Sequence, residues 1–273
     1  MLIVKSSGEK ENFDIEKIKK TCLRAGASKE LAEKVSYEVS KRVKENMTTK
    51  EIFKLTIKLL EQENKGIAAK YDLKGAILRL GPAGFAFEQL IAEILREYGY
   101  STKVHSIVRG KCISHEIDVI ASKDSKTFMI EAKYHNMPGV FTGVRELLYS
   151  YARFLDLQAG YKTGKCQKFD EIWLVTNTKL SRDAIQYAEC MNLKISAWNF
   201  PKENNLQEMI ENKRLYPITM LRKLDADSQD RLADSGLVLV KDLVLKDISK
   251  LNEMTKISKA KLETLKQEAQ TLI

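Results

Sequence analysis

The stretch Leu80-Gly81-Pro82-Ala83-Gly84 constrains the fold of this chain most, because two glycines and a proline within five residues end a helical run. Before it, apolar residues recur at helical spacing, and after it helical and strand-like segments alternate. A softer boundary follows Phe200-Pro201, where the chain becomes polar. We therefore expect three units, over residues 1–83, 84–200 and 215–273, in a chain of 273 residues.

The first unit is predicted to contain a small β-hairpin followed by helices. Residues 2–5 and 10–13 have strand character, and they flank Ser6-Ser7-Gly8-Glu9, which is typical of a hairpin turn. Asp14 is one of the residue types that most often cap a helix. Further helices are expected over about residues 29–45, from Thr48 or Thr49 onwards, and over about residues 66–80.

The second unit mixes helices and strands, and the third is predicted to form several short helices. Helices are expected at residues 86–98, 143–157 and 181–191, and strands at 101–108, 116–121, 127–134, 171–176 and 194–198. This order indicates a central sheet flanked by helices. The sequence therefore predicts an α/β protein with a mostly helical N-terminal unit, a central α/β/α unit and a short helical C-terminal segment.

The charge of the chain is uneven and basic. The net charge is +9, and residues 1–83 hold 18 Lys and Arg against 12 Asp and Glu. A basic balance favours partners that carry phosphate, although lysine-rich helices are also often simply solvated faces. No apolar run approaches the roughly 18 residues that a membrane helix needs. We therefore expect a cytoplasmic protein without a membrane partner.

The four cysteines are scattered along the chain. None forms a CxxC pair, so neither a disulfide framework nor a zinc ribbon is indicated. Cys112 and His115 have a loose metal-like spacing, with His105 and His135 nearby, but the paired ligand clusters of a zinc site are missing. A buried thiol and ordinary histidines are the expected reading.

Two acidic residues are predicted to face each other across a hairpin in the second unit. If the turn is centred between Asp124 and Ser125, strand alternation places Asp118 directly opposite Glu131. Facing carboxylates destabilise a sheet, and a divalent cation between them would offset their repulsion. Oxygen ligands of this kind suit Mg²⁺ or Mn²⁺.

This arrangement has the parts that phosphodiester hydrolysis needs. A metal must hold the phosphate and activate a water, and a cation must offset the charge that develops. Asp118 and Glu131 can hold the metal, with the carbonyl of Ala132 as a further ligand, and Lys133 on the same face can supply the cation. The alternative is that this ExK triplet marks only a solvated sheet face.

Glu88 is a fourth candidate for this site. It lies three residues before Ile91 and seven before Leu95, inside the apolar stripe of its helix. A carboxylate there is costly to bury unless something pairs with it. Its partner would be a metal cluster or, as the alternative, a buried Arg or Lys.

Three stretches of the second unit carry a family resemblance. They are Gly84-Phe85-Ala86-Phe87-Glu88, Glu116-Ile117-Asp118-Val119-Ile120 and Ile130-Glu131-Ala132-Lys133-Tyr134. Together they resemble the PD-(D/E)xK nuclease superfamily, and within it the Mrr-like restriction endonucleases. The resemblance implies a restriction-endonuclease-like fold and a magnesium-dependent DNA endonuclease. Asp118 and Glu131 would be metal ligands, Lys133 the catalytic lysine and Glu88 an accessory acid. That branch often has Gln where Glu131 stands, and glycines where this chain has Ser114-His115-Glu116.

The first unit resembles a second family, the ATP-cone, which binds ATP or dATP. The matching positions include Val4, Lys5, Gly8, Phe13, Asp14, Lys17, Ile18, Thr49 and Ala69-Lys70-Tyr71. Lysines suit phosphate binding, and Thr49 adds a hydroxyl at a helix start. Ser6-Ser7 stands where the family usually has Arg followed by Asp, and Lys10 or Arg79 is expected to compensate. The alternative is a helical scaffold that has lost nucleotide binding.

The tail has a weaker resemblance. Residues 232–238 resemble half of a helix-hairpin-helix unit, which grips the DNA backbone, although packing or dimerisation is an equal alternative. The sequence as a whole predicts a DNA endonuclease regulated by ATP or dATP and acting as a homodimer or higher homo-oligomer. The alternative is a nonenzymatic, nucleotide-responsive DNA-binding or oligomerisation protein with an inactive nuclease fold.

Overall fold

The computed structural model describes residues 1–81 and 84–273. Pro82 and Ala83, on which the first predicted boundary falls, lie outside the described residues. The helices are α1 (Ile15–Arg24), α2 (Lys29–Ser40), α3 (Thr49–Glu63), α4 (Lys65–Tyr71), α5 (Leu73–Leu78), α6 (Phe85–Glu97), α7 (Val144–Lys162), α8 (Arg182–Cys190), α9 (Leu206–Asn212), α10 (Ala226–Asp234), α11 (Val240–Leu245), α12 (Ile248–Thr255) and α13 (Lys259–Gln270). The strands are β1 (Leu2–Val4), β2 (Lys10–Asn12), β3 (Ser101–Arg109), β4 (Ser114–Lys123), β5 (Lys126–Lys133), β6 (Phe141–Thr142), β7 (Glu171–Thr176), β8 (Lys179–Leu180) and β9 (Lys194–Ser196).

The N-terminal unit is a hairpin of β1 and β2 followed by helices, as the sequence predicts. Asp14 caps α1, because its side chain accepts a hydrogen bond from the backbone N–H of Glu16 at 2.9 Å. Thr48 caps α3 in the same way, and Glu51 accepts from the N–H of Thr48 to complete a capping box. These caps fix where two of the helices begin.

Two helices of this unit differ from their predicted lengths. Helix α2 ends at Ser40, five residues early, because the chain turns back so that the N–H of Asn46 can donate to the carbonyl of Leu2. The helix expected over residues 66–80 is broken at Asp72, whose backbone leaves the helical region. The break separates α4 from α5 and redirects the residues that follow.

The central sheet has the strand order β3-β4-β5-β7-β9. Its first three strands are antiparallel, whereas β5, β7 and β9 run parallel. Val119 and Ile130 pack in the same apolar cluster as residues of α6, and Ile120 and Met129 pack with Phe154 of α7. The predicted α/β/α arrangement is therefore confirmed.

The hairpin of β4 and β5 closes through a two-residue turn. Asp124 and Ser125 both have positive φ angles, 48° and 64°, which is typical of the type I′ turns that match strand twist. Val119 pairs with Ile130 in the resulting register. The pairing ends at this point, and beyond it the side chain of Asp118 accepts from the N–H of Ala132, next to Glu131.

The C-terminal helices do not form a core of their own. Their buried leucines, including Leu232, Leu243 and Leu265, belong to the apolar cluster that also contains residues of α5 and α6. Lys256 ends α12 in the left-handed conformation, at φ 58°. Among the described residues, no helix is both long enough and apolar enough to cross a membrane.

Candidate active site

Four carboxylates gather on α6, β4 and β5, and their charges act on one another. Burial, followed by the charges of Asp118, Glu116 and Glu131, raises the pKa of Glu88 to about 7. Burial, followed by the charge of Asp118, raises the pKa of Glu131 to about 7. The side chains of Glu88 and Glu131 are 17% and 15% exposed. Burial and the nearby like charges therefore both disfavour the charged forms of Glu88 and Glu131.

Asp118 is anchored by the backbone of the neighbouring strand. Its Oδ2 accepts a hydrogen bond from the N–H of Ala132 at 2.7 Å. Burial raises the pKa of Asp118, and this hydrogen bond, followed by the charges of Arg153 and His105, opposes the increase. In this arrangement Ala132 contributes its N–H, and its carbonyl as a metal ligand stays a prediction.

Arg153 of α7 is a member of the site that the sequence analysis missed. Its Nη1 lies 2.5 Å from Oε2 of Glu131, and its Nη2 donates to the carbonyl of Glu116. Only 10% of its side chain is exposed. Arg153 lies between the buried Ser150 and Leu157 on the inward face of α7. A charged residue on that face is the sequence feature that could have identified Arg153 as a member of the site.

His105 is a second missed member. It lies in the middle of β3 and has a φ of 48°. The pairing of β3 with β4 is interrupted here, because Val104 pairs with Val119 and Ser106 with Ile117, whereas His105 and Asp118 are unpaired in this register. Its Nδ1 lies 3.2 Å from Oε2 of Glu88, and its ring stacks on Phe85 with the ring centres 4.7 Å apart. Its buried Nε2 has no hydrogen-bond partner in the parts of the chain that the structure describes. The buried partner of Glu88 is therefore this histidine rather than an Arg or Lys.

Lys133 lies at the edge of the cluster. Its side chain is 40% exposed, and its Nζ is 4.0 Å from Oε1 of Glu146 in the first turn of α7. Its charge reaches Glu131, because it lowers the pKa of that carboxyl against the larger effects of burial and Asp118. The structure thus brings Glu88, Asp118, Glu131 and Lys133 to one place.

The chemistry of the donors fits a divalent cation, although the side chains are not arranged around one. Within residues 1–81 and 84–273, no group of three or more His, Cys, Asp or Glu side chains has a geometry that holds a metal ion. Asp118 is directed to a backbone N–H and Glu131 to Arg153. However, hard oxygen donors with mutually repelling charges are the ligands that Mg²⁺ and Mn²⁺ favour. The donors therefore suit a divalent cation by their chemistry, whereas Glu131 is engaged by Arg153 in this structure.

His115, the histidine of the loose metal-like spacing, has a structural partner. Its Nε2 lies 2.8 Å from Oδ2 of Asp156, and Oδ1 of the same side chain accepts from the N–H of Cys112 at 2.9 Å. These hydrogen bonds hold the pKa of Asp156 well below its usual range, with the bond from Cys112 as the largest cause. The contact fixes the loop between β3 and β4 against α7.

A cavity of about 200 Å³ lies in the N-terminal unit between the hairpin and α1, α3 and α4. It is lined by Ile3, Glu11, Phe13, Asp14, Lys17, Ile18, Thr21, Thr49, Ile52, Phe53 and Tyr71. Three of the residues predicted to bind nucleotide, namely Phe13, Lys17 and Thr49, are therefore close together. The aromatic and aliphatic walls suit a flat, apolar ring such as a nucleobase.

The other predicted nucleotide-binding residues are divided. Lys5 lines a neighbouring polar cleft and is paired with Glu11 at 3.3 Å. Val4 and Gly8 have backbone roles, since the N–H of Val4 donates to Met47 and Gly8 makes the hairpin turn at φ 85°. These two residues line neither cavity.

Arg79, predicted to compensate for the missing arginine of the ATP-cone pattern, is paired within its own helical segment in this structure, and its role towards nucleotide stays a prediction. Its Nη2 lies 2.8 Å from Oδ2 of Asp72, and its carbonyl accepts a hydrogen bond from Gln229 of α10. The helix break at Asp72 turns Arg79 towards the C-terminal helices and away from both cavities.

Comparison with known proteins separates the chain into three parts. Residues 1–73 match the ATP cone domain, residues 82–210 the restriction endonuclease family, and residues 216–273 the AF1548-like C-terminal family. Both resemblances found in the sequence are thereby confirmed. The third match covers the helical tail, for which the sequence suggested a helix-hairpin-helix unit.

Similar whole proteins exist as well. An uncharacterized protein of Archaeoglobus fulgidus is 43% identical over 164 residues, which are 60% of this chain and 89% of that protein. The crystal structure of AF1548, a protein of unknown function, is similar with a TM-score of 0.62 and 39% identity, over 70% of this chain and 98% of that chain. The MspJI restriction endonuclease in complex with a 27-mer oligonucleotide has a TM-score of 0.38 and 14% identity, over 73% of this chain and 40% of that one. This last likeness is too remote to bear on the fold or the site.

Proposed function

Since this chain belongs to the same family as the Archaeoglobus fulgidus protein and carries an ATP cone and a restriction endonuclease domain, we propose that it is a metal-dependent DNA endonuclease regulated by ATP or dATP. The observation that carries the proposal is the closeness of Asp118, Glu131 and Lys133, since the charges of Asp118 and Lys133 both act on the carboxyl of Glu131. Mg²⁺ or Mn²⁺ is the cation that suits these donors.

Each residue has a defined task in this reaction. Asp118, Glu131 and the carbonyl of Ala132 would hold the cation, which would supply Lewis-acid chemistry at the phosphate and at a water. The ammonium of Lys133 offsets negative charge on the phosphate oxygens. Glu88, which is close enough to feel the charges of Asp118 and Glu131, would act as the accessory acid–base group that accepts the proton of the attacking water.

A basic groove beside the cluster suits DNA as the substrate. An open groove of about 800 Å³ follows β3 and includes His105 in its wall. Lys103, Arg109 and Lys165 also line it and can contact successive phosphates. Because cutting both strands of a duplex is simplest with two sites related by symmetry, we propose a homodimer as the active form.

Plasmid nicking in the presence of Mg²⁺ tests the proposal. Wild-type protein is expected to cut, and Lys133→Ala to lose about 10²-fold or more of the rate, which is the typical cost of removing one charge-stabilising donor. Lys126→Ala is the matched control, because Lys126 lies on the same strand but pairs with Glu171 at 2.7 Å. The proposal fails if wild-type protein leaves methylated and unmethylated plasmids intact with Mg²⁺ or Mn²⁺, with and without nucleotide.

One observation favours the nonenzymatic alternative. Nη1 of Arg153 lies 2.5 Å from Oε2 of Glu131. This ion pair is expected if the guanidinium of Arg153 had replaced the metal cation as the partner of Glu131. Titration with Mn²⁺ separates the two functions. If the protein is a nuclease, it binds Mn²⁺, and Asp118→Asn loses this binding. If the nuclease fold is inactive, the protein binds no Mn²⁺, and nucleotide changes its oligomer size or its affinity for DNA.

A further inference from the structure

A polar cleft of about 440 Å³ is shared between the N-terminal unit and the nuclease domain. The N-terminal unit contributes Lys5, Ser6, Ser7, Glu9, Glu11, Lys17 and Thr49, α5 contributes Lys74, and the nuclease domain contributes Gly139, Val140, Phe141 and Lys179. The two sides touch, since a Cβ placed on Gly139 would lie 3.4 Å from Oγ of Ser6. The cleft is therefore a built contact between two domains.

Two lysines in this cleft lack an acidic partner. Among the described residues, neither Lys74 nor Lys179 has a carboxylate within 4.0 Å, whereas Lys5 and Lys17 on the opposite wall share Glu11. Burial, and then the charge of Lys179, lowers the pKa of Lys74. A largely buried ammonium such as that of Lys74, with a second positive charge near it and no carboxylate partner, costs free energy, which an anion between the two lysines would recover.

The cleft adjoins the apolar cavity of the N-terminal unit. Both are lined by Glu11, Lys17 and Thr49, and Thr49 is the first residue of α3. A ligand with a flat ring in the cavity and several phosphates in the cleft would therefore pass the start of a helix, where N–H groups and the helix dipole favour negative charge. Nucleoside triphosphates have this division into base and phosphates.

We propose that the phosphates of a nucleotide bound by the ATP-cone lie in this cleft, where Lys74 and Lys179 from outside the ATP-cone hold them together with Lys5 and Lys17. This inference rests on the proposed function and extends it, because it makes the nuclease domain part of the nucleotide site. A nucleoside monophosphate, which lacks the outer phosphates, reaches Lys179 less well than a triphosphate does.

One wall of the cleft belongs to the chain segment that joins strand β5 to helix α7. Residues 134–143 connect β5, which ends at Lys133, to α7, which carries Arg153. Within this segment Phe141 pairs with Lys179, and Oγ1 of Thr142 lies 3.2 Å from Nε2 of His135. A phosphate held by Lys179 thus fixes the segment whose two ends position the cutting site, and this is how nucleotide would act on cleavage.

The test compares the affinities of the full chain for ATP and for AMP by isothermal titration calorimetry. Lys179→Ala is expected to weaken ATP binding about 10-fold or more, the usual loss of one charge-assisted hydrogen bond, with a much smaller effect on AMP. Lys202→Ala is the matched control, because Lys202 is an exposed lysine like Lys179 but lines neither cavity.

Several results would overturn the inference. These are an unchanged ATP affinity in Lys179→Ala, an equal loss for ATP and AMP, or a loss of DNA affinity with ATP binding intact. If wild-type protein binds no ATP, this inference and the nucleotide part of the proposed function fail together. Magnesium-dependent nicking without nucleotide is measured separately, so failure of the nuclease is distinguished from failure of the shared cleft.

Discussion

Replacing Glu88 with glutamine is expected to stabilise the metal-free protein at neutral and alkaline pH. The pKa of Glu88 rises from its ordinary 4.5 to about 7, and each unit corresponds to about 1.4 kcal/mol. Because the folded state holds the proton more tightly than the unfolded state, the wild type loses stability as pH rises through this window. The loss is absent below pH 4.5 and reaches roughly 3 kcal/mol above pH 7. Glutamine carries no such charge, so the advantage of Glu88→Gln grows over the same range.

Urea unfolding in EDTA at pH 4.5 and at pH 8 measures this difference. Trp173 and Trp198 are both buried in or beside the central sheet, so tryptophan fluorescence reports on this part of the chain. Glu189→Gln, on the exposed side of α8, is the control and should show no advantage that grows with pH. Saturating Mg²⁺ should reduce the advantage of Glu88→Gln, because a cation offsets the charges that repel Glu88. An equal stability difference at both pH values would refute the account of a repelled cluster.

Three further outcomes are expected. Lys103→Ala and Arg109→Ala should each weaken DNA binding and lower the slope of log affinity against log salt by about 1, measured by fluorescence anisotropy at several salt concentrations. Arg153→Met should destabilise the metal-free protein by about 3 kcal/mol, since it leaves Glu131 buried without its partner, and urea unfolding measures this. Thr48→Ala should cost about 1 kcal/mol of stability through the lost cap of α3, measured by the same method.

Each of these has its own control and contrary result. For DNA, Lys202→Ala should leave the salt slope unchanged, and equal slopes in all proteins would remove β3 from the DNA path. For Arg153, saturating Mg²⁺ should recover part of the lost stability, and a variant as stable as wild type without metal would contradict the buried pair. For the cap, Thr48→Ser should retain stability, and a neutral Thr48→Ala would show that the capping box is unimportant.

The register of the β4–β5 hairpin, which brings Asp118 and Glu131 near each other, could be predicted because its geometry is local. A strand alternates its side chains with a period of two, and a two-residue turn at Asp124 and Ser125 fixes which residues are opposite. The order of helices and strands likewise follows from apolar spacing within short windows. These features depend on neighbours in sequence, so the sequence alone was sufficient.

The remaining members of the site depend on contacts distant in sequence. Arg153 reaches Glu131 across 22 residues because α7 packs on the sheet, and His105 meets Glu88 through a positive φ that no strand pattern reveals. The position of Arg79, which was expected to compensate for the missing arginine of the ATP-cone pattern, also depends on distant contacts, since its carbonyl accepts from Gln229 of α10. The break at Asp72 directs it elsewhere, and such a break is decided by packing.

The apolar cluster that α5 and α6 share with the C-terminal helices determines how this chain can be divided. Thr219 donates from its hydroxyl to the carbonyl of Ala76 at 2.7 Å, and Leu232 and Leu243 are fully buried in that cluster. A fragment ending near residue 210 would expose the apolar faces of α5 and α6 and would tend to aggregate. Exchange of the nuclease between proteins, by recombination or by engineering, would therefore have to move the tail with it, so that the smallest portable piece is longer than the restriction endonuclease match.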